Sequence, residues 1–179
     1  MYRRTGKTPE DSTENAIKSA ISILAYKENT EKELFDKLVA KGFSKEKASE
    51  AVAFVVEKKY LCEHRYFLRF VEFYGNTKHL GKRRILREAR RKGFSENVID
   101  GYFEEALSQV NFDEGCYGAL CRCKSQNKEK ACAMLLRRGY TVGNLHYALD
   151  KYEEQHGQPF GSGEEEGADL DLDEEEFDE

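Results

Sequence analysis

The chain has 179 residues, with 29 basic and 34 acidic side chains, a formal net charge of −5 and a mean hydropathy of −0.77. Charged residues make up 35% of it, and it has only two prolines and no tryptophan, a composition typical of soluble, helix-rich proteins. Its apolar runs fall far short of the roughly 20 residues that a membrane-spanning helix needs. Polar residues follow Met1 where a secretory signal would have an apolar core, so we expect a cytoplasmic protein.

The charges are unevenly distributed along the chain. Eleven acidic residues, and no lysine or arginine, lie from Gly157 onward, so that residues 1–156 hold all 29 basic and 23 acidic side chains, a net charge of +6. We predict a flexible acidic tail over residues 157–179, which begins with a hinge at 157–163 and is too acidic to fold alone. The tail either folds back on the basic helix and competes with its partner, or prevents non-specific binding to DNA, or serves only solubility. Residues 1–13 are predicted to be a disordered N-terminal segment.

A Lys/Arg-Gly-aromatic motif occurs three times, as Lys41-Gly42-Phe43, Lys92-Gly93-Phe94 and Arg138-Gly139-Tyr140. The glycines are 51 and 46 residues apart, a spacing typical of tandem structural repeats. The pattern predicts an all-α fold, an elongated array of three tandem three-helix repeats at residues 14–61, 62–110 and 111–156. One such unit buries little apolar surface alone, so adjacent units must stabilise one another.

The first repeat shows the plan of the helices. Apolar residues at helical spacing from Ile17 to Leu24 predict the first helix. Thr30 and Glu33 fit a capping box at the start of the second helix, which ends near Gly42. A third helix follows, capped by Ser44.

The second and third repeats follow the same plan. A stripe from Phe67 to Tyr74 predicts the fourth helix, and a fifth runs from about Leu80 to Lys92. Ser95 is placed to cap the sixth helix, and Asp113 to cap the seventh. No segment of comparable length alternates apolar and polar residues with period two, so we expect no sheet.

The strongest concentration of charge is in the second repeat. Between Lys78 and Lys92 lie eight basic residues and a single acid, Glu88. At 100° per residue the arginines fall on one side of a helix, opposite an apolar face that includes Ile85 and Ala89. Two arginines of the preceding helix extend this candidate binding surface, whose residues are Arg65, Arg69, Lys82, Arg83, Arg84, Arg87, Arg90 and Arg91.

Arginine-rich surfaces usually contact phosphates or carboxylates, because the guanidinium binds both in a bidentate manner. The alternative is a solvated helix face, and for Arg65 a salt bridge at the edge of the core.

Neither catalysis nor metal binding has much support in the sequence. The four histidines are scattered and no Gly-rich phosphate loop is present, so we predict no catalytic residue and no cofactor. Cys116, Cys121 and Cys123 are crowded together, but the chain lacks the two ligand pairs of a typical zinc site. The sequence favours buried free thiols and no metal, and leaves open whether these cysteines sense oxidation.

Several segments resemble one bacterial family. Lys59-Tyr60-Leu61-Cys62-Glu63-His64-Arg65-Tyr66, followed by Gly81-Lys82-Arg83-Arg84-Ile85 and Lys92-Gly93-Phe94, resembles the central repeat of RecX proteins. Leu24-Ala25-Tyr26 and Glu31-Lys32-Glu33-Leu34 resemble the first repeat of that family. The resemblance covers about residues 14–154 and depends on the order of the motifs along the chain.

The resemblance implies both a fold and a function. RecX proteins are non-enzymatic regulators built from three tandem three-helix repeats, and they bind RecA, the recombinase that polymerises on single-stranded DNA. By this resemblance we expect binding to RecA and to RecA–single-stranded DNA filaments. We also expect a monomer with weak direct binding to DNA. It would usually inhibit the RecA ATPase, filament extension and strand exchange in recombinational DNA repair and the SOS response.

Two alternatives remain at this point. One is an independent nucleic-acid-binding helical module, and the other is a structural adaptor that binds a partner helix.

Overall fold

The computed structural model describes residues 11–162, which form nine α-helices and one π-helical turn, with no β-strand in this part of the chain. The helices are α1 (Thr13–Tyr26), α2 (Glu31–Ala40), α3 (Lys45–Glu57), α4 (Glu63–Glu72), α5 (Lys82–Lys92), α6 (Glu96–Leu107), α7 (Phe112–Cys121), α8 (Lys128–Arg137) and α9 (Val142–His156). The π-turn Phe73–Thr77 directly follows α4. The prediction of an all-α fold built from three tandem three-helix repeats is confirmed.

The three repeats share one frame, which is set by the motif glycines. The second helix of each repeat begins eleven residues before its motif glycine, and the third helix begins three residues after it. The aromatic residue of each motif is at most 4% exposed, and each belongs to a separate buried cluster, one per repeat: Phe43, Phe94 and Tyr140. Each repeat therefore has its own small core, and first and third helices pack closely together within it.

The helix caps show where local sequence signals succeed and where they fail. The capping box is confirmed, because Thr30 Oγ1 accepts from Glu33 N and Glu33 Oε2 accepts from Thr30 N, each at 3.1 Å. The cap predicted at Asp113 is wrong. Asn111 caps α7 instead, since its side chain accepts from Glu114 N at 3.1 Å, and Asp113 lies in the first turn of that helix.

Both junctions between repeats join the same two helix ends. The start of the second helix in one repeat contacts the end of the second helix in the next. Thr30 Oγ1 donates to the carbonyl oxygen of Lys92 at 3.2 Å across the first junction. Gly81 N donates to the carbonyl oxygen of Arg138 at 2.8 Å, and Arg83 N to that of Gly139 at 3.3 Å, across the second. The Lys/Arg-Gly-aromatic motif ends the second helix of every repeat, and in repeats 2 and 3 it also contacts the preceding repeat.

The second junction leaves no room for side chains at its two glycines. A Cβ atom on Gly81 would lie 2.2 Å from the carbonyl carbon of Gly139, and one on Gly139 would lie 2.4 Å from Arg84 N. Gly139 also has a φ of +91°, a left-handed conformation that other L-residues adopt only at a cost. Both backbones can therefore approach only because both positions are glycine.

One buried carboxylate also joins the first two repeats. Glu63 is 6% exposed, and its oxygens accept from Glu31 N at 3.1 Å, Ser95 Oγ at 2.8 Å and Ser95 N at 3.3 Å. These donors lie at the N-termini of α2 and α6, where the helix dipole favours a negative charge. Ser95 therefore precedes α6 as predicted, but its hydroxyl donates to Glu63 and makes no capping hydrogen bond.

The residues after α9 close the outer end of the third repeat. Phe160 is 4% exposed within the third buried cluster, and its ring lies 5.0 Å from that of Tyr152. A Cβ on Gly161 would lie 2.7 Å from the carbonyl oxygen of Gln126 and 3.2 Å from Lys128 N. Gly161 thus contacts the start of α8. In the same way, Gly93 contacts the start of α2 and Gly139 contacts the start of α5.

The limits predicted for the two terminal segments need correction. The flexible hinge is wrong for residues 157–162, because the burial of Phe160 holds them against the third repeat. Predicted disorder over 1–13 is wrong for residues 11–13, since Asp11 Oδ1 accepts from Ser44 N at 3.0 Å and α1 begins at Thr13. Residues 1–10 and 163–179 lie outside the described residues. Across residues 11–162, no helix is long and apolar enough to cross a membrane.

We predict that Gly139→Ala lowers the free energy of unfolding by about 3 kcal/mol or more, because it adds a clash with α5 to the left-handed strain. Gly157→Ala is the matched control, since Gly157 also has a positive φ of 70°, but a Cβ at that position would have no neighbouring atom within 4 Å. It should cost only about 1–2 kcal/mol. Equal losses for the two variants in urea unfolding would contradict the close approach of the two repeats.

Phe160→Ala should lower the free energy of unfolding by about 3 kcal/mol, the cost of removing a buried phenyl ring. Phe73→Ala is the control, because Phe73 is 46% exposed and its loss should change stability by less than about 1 kcal/mol. Thermal or urea unfolding distinguishes the two. No loss of stability in Phe160→Ala would mean that the segment after α9 does not close the third repeat.

Candidate interaction surface

Helix α5 is held at both ends, so the direction of its exposed face is fixed. Its apolar side is fully buried at Ile85 and Ala89. Gly81 precedes the helix at the second junction, while Lys92, its last residue, is at the first. The basic residues of α5 therefore lie on the middle repeat, between its two neighbours.

A buried glutamate neutralises part of the basic surface. The side chain of Glu88 is only 8% exposed, and its two oxygens lie 2.7 Å from Arg84 Nε and 2.9 Å from Arg91 Nε. This pairing relieves the repulsion among neighbouring guanidiniums. Arg84 and Arg91 are thus on the predicted face, but both are already bound to a carboxylate of their own helix.

Two further cations of α5 pair with residues of α6. Arg90 Nε lies 3.1 Å from Glu96 Oε1, and Lys82 Nζ lies 3.1 Å from Glu104 Oε1. The Lys82 ammonium also lies 5.3 Å from the centre of the Phe103 ring. These ion pairs are largely exposed and contribute little to stability, so the cations can exchange their partners for an external anion.

Arg65 and Arg69 reach across the first junction to repeat 1. Arg69 Nη1 lies 3.3 Å from Glu28 Oε2, and Arg65 Nε lies 4.0 Å from Glu28 Oε1. The side chains remain 57% and 58% exposed for Arg65 and Arg69. The salt-bridge interpretation of Arg65 is therefore consistent with the structure, and both residues stay accessible beside α5.

Arg83 and Arg87 differ from the other cations of the surface. Both are exposed, they lie one turn apart, and within residues 11–162 neither side chain has an ion-pair or hydrogen-bond partner. The motif glycines align this pair with Lys32 and Asp36 in repeat 1 and with Glu129 and Ala133 in repeat 3. The repeat fold forms without arginine at these positions, so the pair is available for another purpose.

The structure brings to the candidate surface further residues that local sequence patterns did not indicate. Lys92 Nζ lies 2.7 Å from Glu33 Oε1 across the first junction. Burial acts to lower the pKa of Lys92, but the hydrogen bond with Glu33 raises it overall. Glu28, Glu33 and Glu63 all have partners 30 to 60 residues away, so a local pattern could not have identified them.

The cysteines of repeat 3 do not converge on a site. Cys116 is fully buried, Cys121 is exposed and Cys123 is intermediate. Burial, with smaller effects from Asp113 and Cys132, raises the pKa of Cys116 to about 12, so its thiol is protonated at neutral pH. Among the described residues, no group of three or more histidine, cysteine or acidic side chains could hold a metal ion.

Comparisons with known proteins agree with this architecture. A family model described as "RecX, first three-helix domain" matches residues 16–54. A regulatory protein RecX from Vibrio campbellii is 28% identical over 161 residues, which cover 86% of this chain and 99% of the relative. One from Caldanaerobacter subterraneus subsp. tengcongensis is 30% identical over 133 residues, which cover 73% of this chain and 67% of the relative.

A solved structure supports the same fold. The crystal structure of RecX from Lactobacillus salivarius superposes with a TM-score of 0.66 over 79% of this chain and 97% of that one, at 18% sequence identity. At this identity the likeness shows the fold alone. Together with the sequence relatives, the helical frame and the repeated junctions lead to one conclusion: the chain belongs to the RecX family of regulatory proteins.

Proposed function

We propose that this chain binds RecA and its filaments on single-stranded DNA, and that it inhibits ATP hydrolysis, filament extension and strand exchange. Membership of the RecX family supports the proposal, because the sequence resemblance implies this activity. The observation that carries it is the arginine pair Arg83 and Arg87, which is exposed, fixed in direction and without a partner among residues 11–162.

The repeated frame of the molecule suits a polymeric partner. A filament presents the same surface at regular intervals, and the three repeats place their second helices in the same frame relative to the motif glycines. Once one repeat is bound, the next is held near the neighbouring protomer at a high effective concentration. Binding along the filament would then exclude incoming duplex DNA and hinder addition of protomers.

The basic residues are expected to contribute unequally to this contact. Arg83 and Arg87 can bind carboxylates or phosphates without giving up a partner. The other members of the surface must first exchange a carboxylate or share one: Arg65, Arg69, Lys82, Arg84, Arg90 and Arg91. We therefore place Arg83 and Arg87 at the centre of the contact and the others around it.

A second candidate function is an independent nucleic-acid-binding module, because unpaired arginines also bind phosphates. Salt dependence of binding separates the two. Direct binding to single-stranded DNA should weaken with a logarithmic slope of about −0.7 per phosphate contact, whether or not RecA is present. A steep slope on bare DNA, without any effect on RecA, would favour the module.

We predict that the double variant Arg83→Glu, Arg87→Glu weakens binding to RecA–single-stranded DNA filaments by about tenfold or more, because it reverses two unpaired charges of the contact. The measurement is DNA-dependent ATP hydrolysis by RecA while the variant is titrated in. Helicity and unfolding midpoint should match those of the parent chain, since neither side chain is paired or buried within the described residues.

The matched control reverses two exposed charges on the second helix of repeat 3, in the variant Lys130→Glu, Arg137→Glu. It makes the same change in net charge and should lower affinity much less. Equal losses in the two variants would show that only overall charge matters. An unchanged affinity in the α5 variant would contradict the assignment of this surface.

A further inference from the structure

A groove lies beside the first junction, on the repeat 2 side of the basic surface. It has a volume of about 250 Å³. Its walls combine aromatic rings from α4 and the π-turn with cations from three segments of the chain. The rings are those of Tyr66, Phe70, Phe73 and Tyr74, and the cations are Lys27, Arg69 and Lys92.

The π-turn places two of these rings in the groove. Lys78 N donates to the carbonyl oxygen of Phe73 at 3.1 Å, the i to i+5 bond of a π-helix, which is rare and often found at functional sites. Phe73 lies edge-on to Tyr74, with ring centres 5.5 Å apart and planes at 87°. Phe73 is 46% exposed, and the Lys78 ammonium lies 5.8 Å from the centre of its ring, so this wall of the groove is an accessible aromatic surface with a cation beside it.

The ring geometry favours a phenyl group over a nucleic-acid base. Bases bind to proteins by stacking on an open, flat aromatic face. Here Phe73 and Tyr74 meet at nearly a right angle, while Phe70 and Tyr74 are tilted by 42° at 4.4 Å, and Phe70 is only 6% exposed. An angled notch of this kind accommodates the edge-to-face contacts that aromatic side chains prefer.

The charges of the groove favour an acidic ligand. Arg69 and Lys92 each have one acidic partner from repeat 1, Glu28 and Glu33. Lys27 is exposed, and its side chain has no ion-pair partner within residues 11–162. The groove therefore keeps an excess of positive charge around an apolar notch, which is the complement of an aromatic residue flanked by carboxylates.

The chain itself carries such a segment. Residues 174–179 read Glu-Glu-Glu-Phe-Asp-Glu, and Phe177 is the single aromatic residue in the sequence after Ser162. We propose that this acidic hexapeptide binds in cis to the groove at the first junction, with the Phe177 ring in the notch and its flanking carboxylates beside Lys27, Arg69 and Lys92.

The tail is long enough to reach the groove. Fifteen residues, 163–177, span up to about 50 Å when extended. Gly161 contacts the start of α8, the end of α8 is 2.8 Å from the start of α5 across the second junction, and Lys92 at the end of α5 lines the groove. With 1.5 Å per residue in helices of 10 and 11 residues, this path is about 40 Å.

Because the acidic hexapeptide belongs to the same chain as the groove, even a weak contact is enough to keep the groove partly occupied. A segment on a flexible linker has an effective concentration on the order of millimolar, so an intrinsic affinity in that range would keep the groove about half occupied. A bound tail would also cover Arg69. That consequence for RecA binding depends on the proposed function, whereas the docking itself does not.

The test uses the full chain, which has no tryptophan, so that Phe177→Trp introduces a single indole at the proposed contact. The emission of this indole should lie further to the blue than that of the control Leu170→Trp in the same tail. Acrylamide should also quench it several-fold less than the control. Adding Phe73→Ala or Lys27→Glu should abolish the difference. Adding Tyr60→Ala should preserve it, since Tyr60 is 56% exposed and does not line the groove.

Three outcomes would overturn the proposal. The first is identical emission from Phe177→Trp and Leu170→Trp. The second is a blue shift that appears only as protein concentration rises, which would identify a second copy as the occupant. The third combines two results: the indole is exposed, and oligothymidylate quenches the tyrosine fluorescence of the parent chain but not that of Phe73→Ala. This outcome would make the groove a nucleic-acid site. None of these measurements involves RecA, so they are independent of the proposed function.

Discussion

Between Gly81 and Gly139 two backbones are in direct contact, with hydrogen bonds of 2.8 and 3.3 Å from the start of α5 to the end of the next repeat's second helix. Such bonds define an orientation as well as a distance, because N–H and C=O groups must point at one another. Helix α5 cannot turn about its axis without breaking them. The direction in which the middle repeat presents its arginines is therefore set by the third repeat, and the burial of Ile85 and Ala89 reinforces it.

The distribution of charge follows from this arrangement. Acidic residues of repeat 1 face basic residues of repeat 2, as in the pairs of Glu28 with Arg69 and Glu33 with Lys92, so charge favours the order in which these two repeats pack. Within α5, Glu88 compensates the two arginines on either side of it. What remains uncompensated among the described residues is a small, well-defined part of a surface that looks uniformly basic in the sequence.

Much of the fold could be predicted from the sequence because its determinants are local. The motif glycines end helices, Thr30 and Glu33 cap one, and apolar spacing identifies the rest. The basic face of α5 was likewise predictable from its helical period. The ion pairs were less so, since Glu28 and Glu63 act on partners that are far away in sequence. The burial of Phe160 was missed for the same reason: glycine and proline beside it indicated a loop, and only the packed third repeat shows that the ring has a site.

The segment at Phe160 and Gly161 has a consequence for the outer end of the third repeat. Solenoids whose ends are left open can add further units or stack end to end, and terminal caps prevent this. Here Gly161 of the same chain lies at the start of α8, the position that Gly93 takes at α2 and Gly139 takes at α5. The Phe160 ring and the Gly161 backbone thus cover, within one chain, the helix end that a following repeat covers at the two internal junctions.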